Sequence, residues 1–319
     1  MELVIASATP PVNPPTVVCV GEGMIELAGP EDAMRLGFGG DVMNTAIYLA
    51  RLGCEVAFAT ALGRDPYSDR LVRMLETEGV RTTRIVRDEA RIPGLYLIRT
   101  DADGERTFHY WRQESAARAL FRSARLGAWL ANVGGAADVA YVSGITLSLM
   151  DGQGHAAMAG WAERVRQDGG AVAFDTNYRP RGWPTPTAAR DAIEHIAPHV
   201  STALPTFEDD AALFGDATPE ACARRWRAWG ADAVVVKTGQ DGAYLDTDGQ
   251  QAWIEPPERV TPVDTTGAGD SFNAGFLAAR LGGAEPKAAA IAGHALAGTV
   301  IRHRGAIIPR DQMGTGDSA

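Results

Sequence analysis

VDTTGAGDSFNAG, residues 263–275, runs from a strand-like approach through a glycine-rich turn into the first turns of an apolar-periodic helix. Gly267 and Gly269 allow backbone conformations and a close ligand approach that side chains would block. The helix that opens behind them presents unpaired N–H groups and the positive end of its dipole, which together suit a phosphate. No lysine follows in the G-x-x-x-x-G-K-[ST] arrangement of a nucleotide P-loop, and the spacing is not G-x-G-x-x-G either. A carboxylate, Asp270, stands beside the anion cradle instead. It can accept a proton from an attacking hydroxyl while the amides stabilise charge on a transferred phosphoryl group. It can equally be no more than a helix cap, and spacing leaves both readings open.

Outward from that turn the chain has a βα rhythm. Val17–Gly21 (VVCVG) and Val56–Thr60 read as buried strands around a helix at 44–52, and a second amphipathic helix spans Asp65–Gly79. VAYVSG, a helix at 154–168, AVAFDTN, a helix near 187–195 and AVVVKTG continue the pattern. Short, wholly apolar strands of this kind are covered by helices on both faces, which predicts an α/β fold with a mostly parallel central sheet. Its ligand site should lie beyond the carboxyl ends of the strands. The segment 94–112 breaks the rhythm, because GLYLIRT and RTFHYW alternate in character around DADG and read as an antiparallel hairpin.

Composition sets the bounds. A chain of 319 residues, 45% hydrophobic and 22% charged, suits one large folding unit. We assign that unit to residues 16–311, with a frayed Pro-rich leader at 1–15 and a flexible tail at 312–319. No apolar run approaches the roughly 20 residues that span a bilayer, and residues 1–15, without a basic start or a sustained apolar stretch, are not expected to act as a secretory signal. Thirty basic against 40 acidic side chains leave a formal charge of −10, which disfavours nucleic acid as a partner. The basic cluster Arg224, Arg225 and Arg227 reads as the solvated face of a helix. Cys19, Cys54 and Cys222 are widely spaced and read as small buried side chains in a reducing cytoplasm. The six histidines show no metal-ligand spacing. His294 stands apart only by lying in the helix after the signature.

DTTGAGDSF closely resembles the carboxyl-terminal signature of the ribokinase-like (PfkB) sugar kinases, and GFGGDVMNTAIYLARLG resembles their amino-terminal one. The resemblance implies a three-layer α/β/α domain with a small β-sheet lid, formed by strands around 34–40 and 94–112, that covers the sugar and often pairs two subunits. It implies ATP and Mg2+ as cofactors, Asp270 as catalytic base, and the amides of Gly267, Ala268 and Gly269 as the anion hole. Asp264 would be a support or metal-side contact. Gly39, Gly40, Asp41 and Asn44 would meet the sugar, although a plain glycine turn with Asn44 as a helix cap is the alternative. Thr238, Gly239 and Gly242 would line the ATP site. Lys237 reads either as a phosphate ligand or as a surface or packing residue. The family's N-x-x-E magnesium motif has only an altered counterpart, Thr206 and Asp209 with Glu208 adjacent, so Asp209 is the expected metal-side carboxylate, acting through water.

GEGMIEL, the YWRQESAAR stretch and DTNYRPRGW resemble the 2-keto-3-deoxygluconate kinases more than ribokinases or fructokinases. That resemblance implies a sugar acid as substrate, phosphorylated at its 6-hydroxyl. Arg112 and Arg179 would bind its carboxylate, since a guanidinium can do so bidentately, and Tyr96, Tyr110 and Trp111 would frame the pocket. The alternatives are a neutral-sugar kinase, in which those arginines form ordinary ion pairs, and a noncatalytic sugar-binding regulator on the same fold.

Overall fold

The computed structural model describes residues 15–29, 33–100, 106–133, 137–247 and 249–313. Leader residues 1–14, the DADG connection at 101–104 and tail residues 314–319 lie outside the described residues. The strands are β1 (Thr16–Val20), β2 (Met24–Ala28), β3 (Arg35–Gly39), β4 (Glu55–Leu62), β5 (Ile85–Arg87), β6 (Gly94–Thr100), β7 (Arg106–Trp111), β8 (Val139–Ser143), β9 (Ala171–Asp175), β10 (Thr202–Ala203), β11 (Ala233–Lys237), β12 (Ala243–Thr247) and β13 (Gln250–Ile254).

Alternate residues of β1 face two different cores. Val18 and Val20 join Phe121, Leu130, Trp161, Ile193 and Trp226 on one side of the sheet. Val17 and Cys19 join Met43, Ile47, Leu71, Phe276 and Leu296 on the other. This two-sided burial makes the β1 sequence continuously apolar, and it gives helix, sheet and helix as three layers. The sheet order is β13-β12-β11-β10-β9-β8-β1-β4-β5. Neighbours from β11 through β5 pair in parallel, and β12 and β13 add an antiparallel edge. The carboxyl ends of β1, β8, β9 and β11 therefore point the same way, towards Glu22, Ser143, Asp175 and Lys237.

The small sheet has the order β3-β2-β6-β7. The β6–β7 hairpin is antiparallel as expected, with Tyr96 opposite Tyr110. Strand β2 was not legible in sequence: MIELA is short, and its burial changes along its length without clean alternation. It pairs in parallel with β6, so two separate stretches of chain build one sheet around Met24, Tyr96 and Ile98.

All three cysteines are buried and free, as expected. No described helix is long and apolar enough to cross a membrane. The basic cluster corrects the solvated-face reading. Arg224 is exposed, but Arg225 lies between the Phe214 and Trp229 rings, 4.0 and 4.4 Å from their centroids. Its guanidinium bonds the fully buried Asp210 at 2.7 Å and Asp216 at 2.5 Å. Asp210, Asp216 and Cys222 come close enough to suggest a cation site, and Arg225 is the cation that holds two of them. The charge pattern hid this because a helical arginine whose stem and plane pack on aromatics looks, in sequence, like any exposed one.

Candidate active site

The helix Ala268–Leu281 starts from Gly267, whose φ of 77° lies in the left-handed region. A Cβ there would stand 2.8 Å from the Ala306 carbonyl, so turn geometry and packing both require glycine. Asp264 fixes the same turn. Its carboxylate accepts from the Thr266 N–H at 2.9 Å and from the Gly305 N–H at 2.6 Å, which makes it a loop support. The helix cap is thus Gly267, without a side-chain bond, and Asp270 lies one turn inside.

The Asp270 side chain faces inward. Asn44 Nδ2 donates to Asp270 Oδ2 at 2.8 Å, while Thr45 Oγ1 donates to the Asp270 carbonyl. Asn44 is not a cap either, because the helix Asp41–Arg51 begins from Gly40 and Asn44 is buried within it. Burial, then the nearby Asp41 charge, pushes the Asp270 pKa up to about 8. The Asn44 hydrogen bond and Lys237 pull the other way, and Asp175 adds to the rise. Burial likewise raises Asp41, against hydrogen bonds from Ser143 and Val42. A carboxylate with this poise takes up a proton readily near neutral pH, as a general base must.

Lys237 is neither on the surface nor a mere packing residue. It is buried, and its Nζ donates to Asp175 Oδ2 and to Asn273 Oδ1, both at 3.0 Å. Asn273 Nδ2 closes the set by donating to Asp175 Oδ2 at 2.7 Å and to Tyr141 at 2.9 Å. A Cβ on Gly269 would lie 3.7 Å from the ammonium, so Lys237 sits against the glycine turn. Asn177, with a φ of 32°, turns back at the end of β9, takes its N–H to Asp175 Oδ1 and donates to Asp41 Oδ2 at 3.0 Å. Strained backbone of this kind collects at functional sites. One positive charge is thus threaded among three carboxylates, Asp41, Asp175 and Asp270. Asp175, Asn177, Asn273 and Tyr141 escaped the sequence reading, although FDTN and DSFN carried three of the four within or beside recognised elements.

On the lid side, Gly39 stands against Tyr96, since a Cβ would fall 2.0 Å from its hydroxyl oxygen. Gly40, with a φ of 152°, passes equally close to the Glu22 carbonyl. The Tyr96 hydroxyl donates to Glu26, and the Tyr96 and Tyr110 rings lie 5.9 Å apart. Tyr110 and Trp111 are exposed. Arg112 Nη2 lies 2.5 Å from Glu22 Oε2, and Ser115 donates to the other oxygen of the same buried carboxylate. Of the other Arg112 nitrogens, Nε makes no hydrogen bond among the described residues. Arg179 Nη1 meets both oxygens of Asp209, at 3.0 and 2.9 Å, so the expected carboxylate binder and the expected metal-side acid are paired.

On the opposite side, Thr238 follows Lys237 directly. Its N–H and its hydroxyl both donate to the Gly242 carbonyl, at 2.9 and 2.8 Å, closing a turn through Gly239. His294 packs edge-on to Phe272 at 4.9 Å, and burial lowers its pKa to about 4, which keeps the ring neutral.

The chain is 39% identical over 308 residues to a 2-dehydro-3-deoxygluconokinase of Dickeya dadantii, covering 93% of this chain and 98% of that one. Among solved structures it is similar to a PfkB protein from Polaromonas sp. JS666, with 30% identity, a TM-score of 0.79 and coverage of 91% and 96% of the two chains. It shares its fold with an E. coli putative ribokinase II solved with ATP and Mg2+, with 21% identity, a TM-score of 0.79 and coverage of 92% and 94%. The model of the pfkB family carbohydrate kinases matches residues 15–313. With Asp270 behind a glycine turn, a parallel sheet ending at the site and a four-stranded lid above it, this chain belongs to the PfkB family of carbohydrate kinases.

Proposed function

We propose that the protein transfers the γ-phosphoryl group of ATP to the 6-hydroxyl of 2-dehydro-3-deoxy-D-gluconate, giving the 6-phosphate and ADP. The observation that carries this reading is Asp270, buried on Asn44 at the mouth of the Gly267–Gly269 turn, between the lid and Lys237. Asp270 takes the proton from the 6-hydroxyl, whose oxygen forms the new bond to phosphorus as the bond to the bridging oxygen of ADP breaks. The Gly267 and Gly269 amides and Lys237 meet the charge that spreads over the transferred group, while the Ala268 N–H is held by the Thr265 carbonyl at 3.2 Å. Tyr96, Gly39 and Gly40 shape the sugar pocket, with Asp41 and Asn44 beneath it. The Thr238–Gly242 turn takes the nucleotide.

The donor set fits magnesium held through water. Asp209 is a half-buried carboxylate engaged only from the Arg179 side, and burial raises its pKa while Asp175 and Lys237 stand close enough to act on it. The ion, when bound, neutralises phosphate charge. The apolar face and exposed Tyr110 and Trp111 of the small sheet support pairing of two subunits through the lid. Reduced, buried thiols support a cytoplasmic location.

The substrate reading rests on the 39% identity to a 2-dehydro-3-deoxygluconokinase and on Arg112, whose guanidinium lies beside Tyr110 and keeps Nε without a hydrogen bond among the described residues. Release of ADP with the keto-deoxy acid, its galactonate epimer, fructose and ribose is expected to favour the keto-deoxy acids. Arg112→Ala should raise KM for the keto-deoxy acid about 30-fold or more, the cost of losing a charge-assisted pair, with KM for ATP unchanged. Unchanged KM for the acid, with faster turnover of fructose or ribose in the wild type, would overturn the sugar-acid reading.

A further inference from the structure

YWRQESAAR and DTNYRPRGW each contain an arginine that the phosphoryl site does not use, Arg118 and Arg181. Both line one open cavity of about 760 Å3, together with Arg122. The cavity lies between the helices Ala116–Phe121, Gly152–Gln167 and Pro186–Ile196 and the short turn Pro180–Gly182. Its volume is in the range of small-molecule sites. Asp270, Asn44, Tyr96, Arg112 and Arg179 are not in its wall, whereas Gln113 and Arg181 are, so it adjoins the site above without containing that site's proposed binding residues.

Three guanidiniums brought to one hollow repel one another unless something anionic joins them. Arg118 and Arg122 stand four residues apart, on one side of the same helical turn. Burial, reinforced by the charges of Arg122 and Arg112, lowers the Arg118 pKa. Arg122 Nε donates to the Leu149 carbonyl at 2.9 Å, which anchors that guanidinium and leaves its terminal nitrogens for a ligand. The acids in the wall are differently employed: Asp151 caps a helix by accepting from the Gly154 N–H at 3.0 Å, and Asp191 is exposed. One side of the cavity is apolar, with Trp183 buried and its ring 6.1 Å from that of His155. His155 Nε2 is 2.9 Å from the Leu147 carbonyl, and burial lowers its pKa, so it donates there as a neutral ring.

We propose that this cavity is a second anion site. It takes a small phosphate- or carboxylate-bearing metabolite, with the charged group among Arg118, Arg122 and Arg181 and the carbon skeleton against Trp183.

Equilibrium dialysis of the full chain with inorganic phosphate tests this, in saturating β,γ-imido-ATP and magnesium so that the catalytic anion hole is filled. The expected result is one phosphate per chain, with affinity at least tenfold lower in the Arg122→Gln/Arg181→Gln variant and sugar phosphorylation within about twofold of wild type. Displacement of that phosphate by L-malate would assign a carboxylate ligand, and displacement only by glycerol 3-phosphate a phosphate one. Absence of bound phosphate in the wild type, or equal affinity in the variant, overturns the proposal. Single Arg122→Gln, at an exposed position, carries the same test if the double variant misfolds.

Discussion

Asp270→Asn should lower kcat by about 10²- to 10⁴-fold, the span over which positioned general bases act, while KM for both substrates changes little. The isosteric amide keeps a partner for Asn44 yet cannot take a proton. Because the Asp270 pKa is pushed up to about 8, the wild-type kcat/KM should rise with pH and level off above that value. In the variant that limb should vanish. The same shift has a thermodynamic face. In the folded chain Asp270 holds its proton up to about pH 8, whereas an unfolded aspartate loses it near pH 4. The unfolded state is therefore increasingly favoured as pH rises through that window. Asp270→Asn should raise the melting temperature more at pH 8 than at pH 5, an inactive enzyme that is also a tougher one. Equal pH profiles for the two proteins would remove Asp270 from the base role.

Lys237→Met carries the second large effect. Among the described residues the ammonium is the one cation bonded directly to Asp175, and removing it strands a buried carboxylate, a loss of about 3–5 kcal/mol where buried pairs have been broken. Chemical denaturation should show that loss near neutral pH. Adding Asp175→Asn should restore part of it, since the double variant leaves no unpaired charge. Lys237 also lowers the Asp270 pKa. Its removal should therefore move the rising limb of kcat/KM to higher pH, a change that a purely structural role would not produce. Loss of stability without rescue by Asp175→Asn would show that the ion pair is not the reason Lys237 is buried.

The glycine turn and the sheet were legible for local reasons. A glycine turn ahead of an apolar-periodic helix has few other uses, and strands covered on both faces must be apolar throughout. The network around Asp175 was not legible, because nothing local marks a lysine at the end of one strand as the partner of an aspartate 62 residues away. Arg225 was misread for a related reason: its partner Asp210 is 15 residues distant, and helical charge patterning describes only neighbours on the same helix. Strand β2 was missed because five residues with half-buried positions give too little period to detect. The glycine turn ahead of Asp270 could be named from sequence, whereas the pairing of Arg179 with Asp209 needed coordinates.

The lid is not one stretch of chain. Strands β2 and β3 leave the body between β1 and the helix Asp41–Arg51, and β6 and β7 leave it between β5 and the helix Ala116–Phe121. Neither pair has an apolar core alone, so the lid sheet can register only after the large sheet has brought its two roots together. Those roots are Glu22 with Gly39 and Gly40 on one side, and Gly94 with Arg112 on the other. If Gly39, Gly40 and Arg112 meet the sugar as proposed, lifting the lid would pull on them and take the pocket apart. On that reading topology would limit wasteful hydrolysis of ATP: without a sugar to bind the two roots together, water would meet a pocket that is not assembled.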